Sequence, residues 1–375
     1  MVYQKFFAPV VFLVLFSAYS VYSGETTVGG HFKLTLYDYS IGERTFTDSS
    51  NAVQTADGAR SAGISISRFT LLVMREIQEI FTVLVQPNFE VATGATPRLG
   101  KSIGEDKLSG GPRFTGWHKA FMRVLIPYPL LLEVSGGVIF PRFTMDYGAE
   151  LFFEDEYNGS KFSISSSLGE MAGTGIELYR TFELGFASVP TYIYIMNGEG
   201  NMFHDNNDLP EGMIHIEPEI GPVRLFGSFL VGKYDDDSEK DVFRWSGGGS
   251  IKLGPVELRS EYAGGMWEES LADSAESDAK PHGFYAKLFY QFSSWGKLMA
   301  HYNYVKYNYV GSHINGTPGW EIYSTITPGF QIYVFDCLAI QLQGDIGNWR
   351  RRNKERNTKD KLEFSRYFLG LRATF

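Results

Sequence analysis

Seven histidines are scattered along the 375 residues, at His31, His118, His204, His215, His282, His301 and His313, and no two have metal-ligand spacing. A hydrolase at a protein rim would combine Ser, His and Asp, but there is no nucleophile elbow and no recognisable triad order. Two acidic runs, "HDNND" at 204–208 and "YDDDSEKD" at 234–241, offer the carboxylate and amide oxygens that calcium takes. Neither has the spacing of a known calcium loop, so they read as solvated acidic loops, with calcium as the alternative. One stretch is basic, "NWRRRNKERNTKDK" at 348–361. Its cations could clasp lipopolysaccharide phosphates or attract anions; the plainer reading is a charged surface loop. These patterns predict no catalytic residue, no metal and no cofactor.

The elements that carry these residues are strands. The chain opens with one positive charge, Lys5, and an apolar run from Phe6 to about Tyr19, too short for a bilayer-spanning helix. Val21 and Ser23 fit a small-x-small cleavage rule, so residues 1–23 read as a secretory signal peptide cut before Gly24. An anchor helix is the alternative and fails on length. No cysteine follows the run, which argues against an N-terminal lipid anchor. The only cysteine is Cys337, so there is no internal disulfide framework. Formal net charge is −9, and −10 once Lys5 leaves with the signal peptide, which excludes nucleic acid as a partner. With 22 Tyr, 30 Phe and 41 Gly and no later apolar run of helical length, two classes remain. One is a soluble secreted domain and the other a membrane β-barrel, whose alternating strands escape a hydropathy average.

Period-two alternation marks about sixteen candidate strands between residues 30 and 375. The gaps between them alternate in length. Long ones fall at 41–60, 93–113, 141–172, 198–210, 234–241, 268–281, 310–318 and 350–361. Short ones include 77–78, 127–129, 187–188, 220–221 and residue 254. Long loops on one rim and tight turns on the other are the layout of an outer-membrane barrel. The faces agree. Phe284, Ala286, Leu288, Tyr290 and Phe292 oppose Tyr285, Lys287, Phe289 and Gln291, and Leu338, Ile340, Leu342 and Ile346 oppose Gln341, Gln343 and Asp345. The expectation is apolar towards lipid and polar towards the lumen. Pro87, Pro190 and Pro328 interrupt proposed strands and require bulges, strand starts or shifted boundaries. Residues 24–375 read as one transmembrane antiparallel β-barrel, all-β, with short periplasmic turns and long extracellular loops. Its last strand keeps one apolar face through Tyr367, Leu369, Leu371 and Phe375, resembling the signal read by the outer-membrane assembly machinery.

Several segments resemble the phosphate-selective porin O and P family. They are "LEVSGGVIFPRF" (132–143), "GTGIELY" (173–179), "YIYIMNGEGNMFHDNND" (192–208), "LRSEYAGG" (258–265) and "HGFYAKLFYQF" (282–292). The resemblance implies a sixteen-stranded, trimeric outer-membrane channel, with loop 141–172 folded inward as the constriction. A phosphate channel needs a track of cations. Here the loop carries Asp146, Glu150, Glu154, Asp155, Glu156 and Glu170 against Arg142 and Lys161. Alternation puts Arg68, Lys119, Arg123, Arg224, Arg244, Arg259, Lys287, Arg366 and Arg372 on the lumen side. With them lie Glu90, Glu133, Glu177, Glu183, Glu217, Glu257, Glu261 and Asp345. The lumen is mixed in charge. The leading expectation is a porin that passively conducts small hydrophilic solutes, as a homotrimer in contact with outer-membrane lipid and lipopolysaccharide. The alternative is a barrel that serves as a sleeve or docking partner for another envelope protein, such as a secreted cytochrome.

Overall fold

A computed structural model describes residues 26–47, 50, 52–56, 58–77, 80–93, 113–127, 129–139, 141–144, 173–197, 209–234, 240–271, 277–310, 317–335, 337–355 and 357–374. The signal peptide, Asp146 to Glu156, the acidic run 204–208 and Phe375 lie outside the described residues.

Among the described residues all extended regular structure is strand. In chain order the strands are β1 Thr26–Thr47, β2 Val53–Ala56, β3 Ala59–Ile77, β4 Phe81–Thr93, β5 Arg113–Ile126 and β6 Leu132–Ile139. Then come β7 Gly173–Glu183, β8 Ser188–Met196, β9 Glu211–Ile216, β10 Glu219–Ile220, β11 Val223–Lys233 and β12 Asp241–Leu253. The last are β13 Val256–Trp267, β14 His282–Ser293, β15 Gly296–Val310, β16 Thr317–Phe335, β17 Leu338–Asn353 and β18 Thr358–Thr374. Two of these eighteen are not separate staves. β2 folds back on the end of β1, from Arg44↔Ala56 to Thr47↔Val53. β10 continues β9 past Glu217 and Pro218, since both pair with β8 and with β11. Sixteen staves remain, each antiparallel to the next, and β18 closes on β1 from His31↔Thr374 to Thr47↔Lys359. Closure leaves no open edge, which a sheet in hydrocarbon requires.

The burial pattern is that of a barrel in lipid. Leu288 is 47% exposed and its strand neighbour Lys287 only 2%. Along β14–β18 the exposed set is Phe284, Leu298, Ile326, Leu342, Ile346 and Leu369, while His301, Thr327, Gln341, Asp345 and Arg366 are buried. A water-soluble sheet would reverse those two sets. The period of two is thus satisfied with the greasy face outward.

The tight rim depends on backbone chemistry. The turns 221–222 and 254–255 are both Gly-Pro, with Gly221 at φ 56° and Gly254 at φ 57°. Glycine takes positive φ at little cost, as the primed two-residue hairpin turns demand. The prolines cannot donate, but Pro222 and Pro255 accept from Lys252 and Gln291 at 3.0 and 2.8 Å. The strand prolines find the exits alternation requires. Pairing shifts between Gln86 and Pro87. Pro190 sits near the start of β8 and accepts from Glu217 N at 2.9 Å. The β16–β17 ladder skips Thr327 and Pro328 and resumes in the same register at Gly329↔Gln343.

Three expected loops are corrected. The gap 350–361 is strand on both sides of a turn at 354–357, so its basic residues lie largely on β17 and β18. The gap 310–318 shrinks to 311–316. The gap 41–60 shrinks to 48–58 and contains β2. The reason is common to the three. Above the bilayer a strand has water on its outer side, so polarity on both faces does not end it.

Candidate functional site

The inward faces of neighbouring staves fall into register lines. One runs Arg224↔Ser250, Ser250↔Arg259, Arg259↔Lys287 and Lys287↔His301. It continues His301↔Thr327 and, beyond the proline break, Asp345↔Arg366. Most of the described cations on this wall meet a carboxylate. Arg224 Nε lies 2.8 Å from Glu219 Oε1 and 3.4 Å from Glu217 Oε1. Arg259 Nε is 2.5 Å from Glu257 Oε1, and its guanidinium covers Phe289 at 4.9 Å. Buried Arg366 donates from Nη2 to Asp345 Oδ2 at 2.7 Å. Asp345 Oδ1 also accepts from Thr327 Oγ1 at 2.7 Å and Gln343 Nε2 at 3.0 Å. A buried carboxylate with three donors has the partners that desolvation requires.

On the other side of the ring, Arg123 reaches Glu133 at 3.2 Å, Glu177 at 3.9 Å and Ser135 Oγ at 3.2 Å. Arg244 is buried with its guanidinium 4.9 Å over Trp267, and Lys287 Nζ lies 4.7 Å from the Tyr285 ring centroid. Glu261 is buried opposite Tyr285, and Arg372 sits half-buried beside Ala339. Arg68 and Lys119 pair through their backbones with Lys33 and Gln86; their side chains are outside the described residues. Tyr367 is paired with Asp38, Leu369 with Leu36 and Leu371 with Leu34, and all three point outward.

The chain leaving β6 turns into the barrel. Phe143 is 0% exposed, and its carbonyl accepts from Ser228 Oγ on β11 at 2.7 Å and from Ser246 Oγ on β12. Ser228 Oγ also lies 3.3 Å from Arg142 O. A hydroxyl has one proton, so with Ser228 donating to a carbonyl, the 2.7 Å contact to His215 Nδ1 makes that nitrogen the donor. Arg142 is held in parallel. Its N donates to Tyr194 Oη at 3.3 Å, and its guanidinium stacks 4.9 Å over Tyr192 and reaches Glu217 at 3.7 Å. Tyr179, Tyr192, His215 and Phe226 continue the aromatic wall, with centroid spacings of 4.6, 5.6 and 6.0 Å. Arg142 is the one expected loop residue that the described set contains. Ser228 and Ser246 were not singled out from sequence, and His215 only as one of seven scattered histidines. Their signal is weak: small polar residues at inward positions, with a partner 85 or 103 residues away.

Comparison with solved structures gives the same architecture. DcaP, an outer membrane channel of Acinetobacter baumannii, superposes with a TM-score of 0.57 at 13% identity, over 94% of this chain and 98% of that one. OmpT, an outer membrane protein of Vibrio cholerae, gives 0.56 at 11% identity over 94% and 98%. An anion-selective porin from Comamonas acidovorans gives 0.55 at 12% identity over 94% and 100%. No protein-family model and no curated relative matches the chain. The chain has the fold of an outer-membrane β-barrel. The fold is what these likenesses carry; the chemistry of the lumen belongs to this sequence.

Proposed function

We propose that the barrel is a porin, a passive diffusion channel for small hydrophilic solutes, with the loop 141–172 folded inward as its constriction. The observation that carries this reading is the anchoring of the Phe143 carbonyl to Ser228 and Ser246, on staves far around the ring from β6. A loop entering the lumen there narrows it, and the surrounding wall is polar and charged. The channel and porin titles among the structural neighbours support the same role. The trimer form described for Vibrio OmpT supports a homotrimer, which cross-linking in native membranes tests.

Selectivity follows from charge pairing. Arg123, Arg142, Arg224, Arg259 and Arg366 each contact a carboxylate, so the described wall offers phosphate no run of uncompensated cations. Charges at a narrow, low-dielectric point act strongly, whereas those on wide wet rims are screened within about 8–10 Å. Acids outnumber bases in the loop, so the channel is weakly cation-preferring or nearly neutral. Reversal potentials in a salt gradient across a planar bilayer test this. Replacing Glu154, Asp155 and Glu156 with Gln should move the potential towards anions. A strongly anion-selective wild type, or no shift in the triple variant, refutes the acidic constriction. A barrel silent in the bilayer refutes the channel and leaves the sleeve reading.

A further inference from the structure

We propose that the outward face of the β17–β18 hairpin, at the long-loop rim, binds the phosphates of a phosphorylated glycolipid of the outer leaflet, the chemistry of lipopolysaccharide. The inference rests on the barrel's place in the outer membrane and is independent of whether it conducts. Arg350 and Arg352 on β17 and Lys359 and Lys361 on β18 are all exposed. They alternate with inward Trp349, Asn353, Asp360 and Leu362, which are buried. Pairing sets Arg350 directly opposite Lys361 and Arg352 directly opposite Lys359.

Two like-charged cross-strand pairs, one above the other, destabilise a hairpin. This chain carries a net −9, so it has acids to spare for neutralising them. It does neutralise the cation that points inward. Arg351 donates from Nε to Asp360 Oδ2 at 2.7 Å. On the outward face, among the described residues, Lys361 has such a partner, Glu363 at 3.0 Å. Among the described residues, Arg350, Arg352 and Lys359 have no carboxylate partner. The hairpin therefore presents three cations without a carboxylate partner to whatever lies outside it, with the paired Lys361 beside them.

Position selects the ligand. Ile346 is 55% exposed and marks the top of the apolar belt on β17. Arg350 lies four residues higher on the same face, roughly 10 Å along the membrane normal for a strand tilted about 40°. That is headgroup depth. Outward Trp320 pairs with Arg352 and suits an interface between lipid and water. Outward Lys306 lies across Ile322 from Arg350 and extends the patch. Arginine forks match phosphate bidentately, and lysines add point charge.

The test uses the full-length folded barrel in detergent, titrated with bisphosphorylated lipid A, with dephosphorylated lipid A, and with inorganic phosphate as competitor. The wild type should bind the bisphosphorylated lipid at least tenfold tighter than the dephosphorylated one. With all four cations changed to Gln, binding should weaken roughly a hundredfold, about fivefold for each of the three unpaired cations. The half variants, R350Q/R352Q and K359Q/K361Q, should each lose part of it and guard against a quadruple variant that fails to fold. Lys280→Gln, at the same rim but paired with Asp278, should bind as wild type. Equal binding of the two lipids, unchanged binding in both half variants, or an equal loss in K280Q overturns the proposal. Inorganic phosphate that competes fully at concentrations no higher than the lipid's makes the patch a free-anion site and overturns it too.

Discussion

If the segment after Phe143 forms the constriction proposed above, removing the hydroxyls of Ser228 and Ser246 together should loosen it and leave the wall intact. The Phe143 carbonyl accepts from both and is buried. A typical intramolecular hydrogen bond contributes about 1 kcal/mol net, and stranding a buried carbonyl adds a desolvation cost of about 1–3 kcal/mol. The double Ser→Ala change therefore weakens the anchor by about 2 kcal/mol or more. At about 1.4 kcal/mol per decade, the population with the loop detached rises about thirtyfold. Three contacts persist, all at Arg142: Tyr194 Oη, the Tyr192 ring and Glu217. The loop should thus flicker rather than leave. Single-channel recording should show a larger mean conductance and more open-channel noise than the wild type. The Ser→Thr pair keeps both donors and should behave as wild type. If the Ala pair folds and its conductance and noise match those of the wild type, the anchor does not hold a constriction.

The other predictions concern the wall. Leu342→Arg or Leu288→Arg should cost about 2–4 kcal/mol near the bilayer midplane, measured by denaturant unfolding in vesicles. The lumen-side control is Gln291→Arg; Gln343, 4% exposed and bonded to Asp345, is too engaged to serve. Should Gln291→Arg prove the worse of the two, inside and outside are exchanged. Asp345→Leu should cost about 3–5 kcal/mol by stranding Arg366, and adding Arg366→Met should restore most of the loss. A single variant as stable as wild type would mean that water reaches Arg366 and the pair is not desolvated.

Much of the barrel was legible because lipid imposes a rule the sequence must obey at every second position. Leu342 and Gln343 differ in character, and their exposures of 53% and 4% follow. The tight rim was legible from its turn chemistry, as in the Gly-Pro turns at 221–222 and 254–255, whereas three of the long gaps proved shorter than read. The basic run at 348–361 was misread because no lipid rule operates above the bilayer. Its cations still alternate, with Trp349 and Asp360 turned inward. Register was not legible at all. Nothing in the spacing of Arg224, Arg259, Lys287 and His301 says that they fall on one line, because that line is set by turn lengths summed around the ring. The same blindness hid Ser228 and Ser246, whose role depends on a carbonyl from a distant loop.

The pairing of charges bears on what the proposed channel would pass. A line of cations across β11–β15 would, taken alone, predict an anion path. Its arginines sit within salt-bridge range of acids on the same or adjoining staves, Glu217, Glu219 and Glu257. Matched pairs lose most of their field within a Debye length, about 8 Å at physiological salt. What remains is a field across the pore, local to each pair. It interacts with dipolar, hydrogen-bonding solutes more than it sorts ions by sign. Pairing also lowers the cost of enclosing so many charges, since each buried partner would be expensive alone. Sorting by sign is then left to charges that lie unpaired at the narrowest point. On the function proposed above, the candidates are the acids between Asp146 and Glu156, which follow Arg142 and Phe143 in sequence.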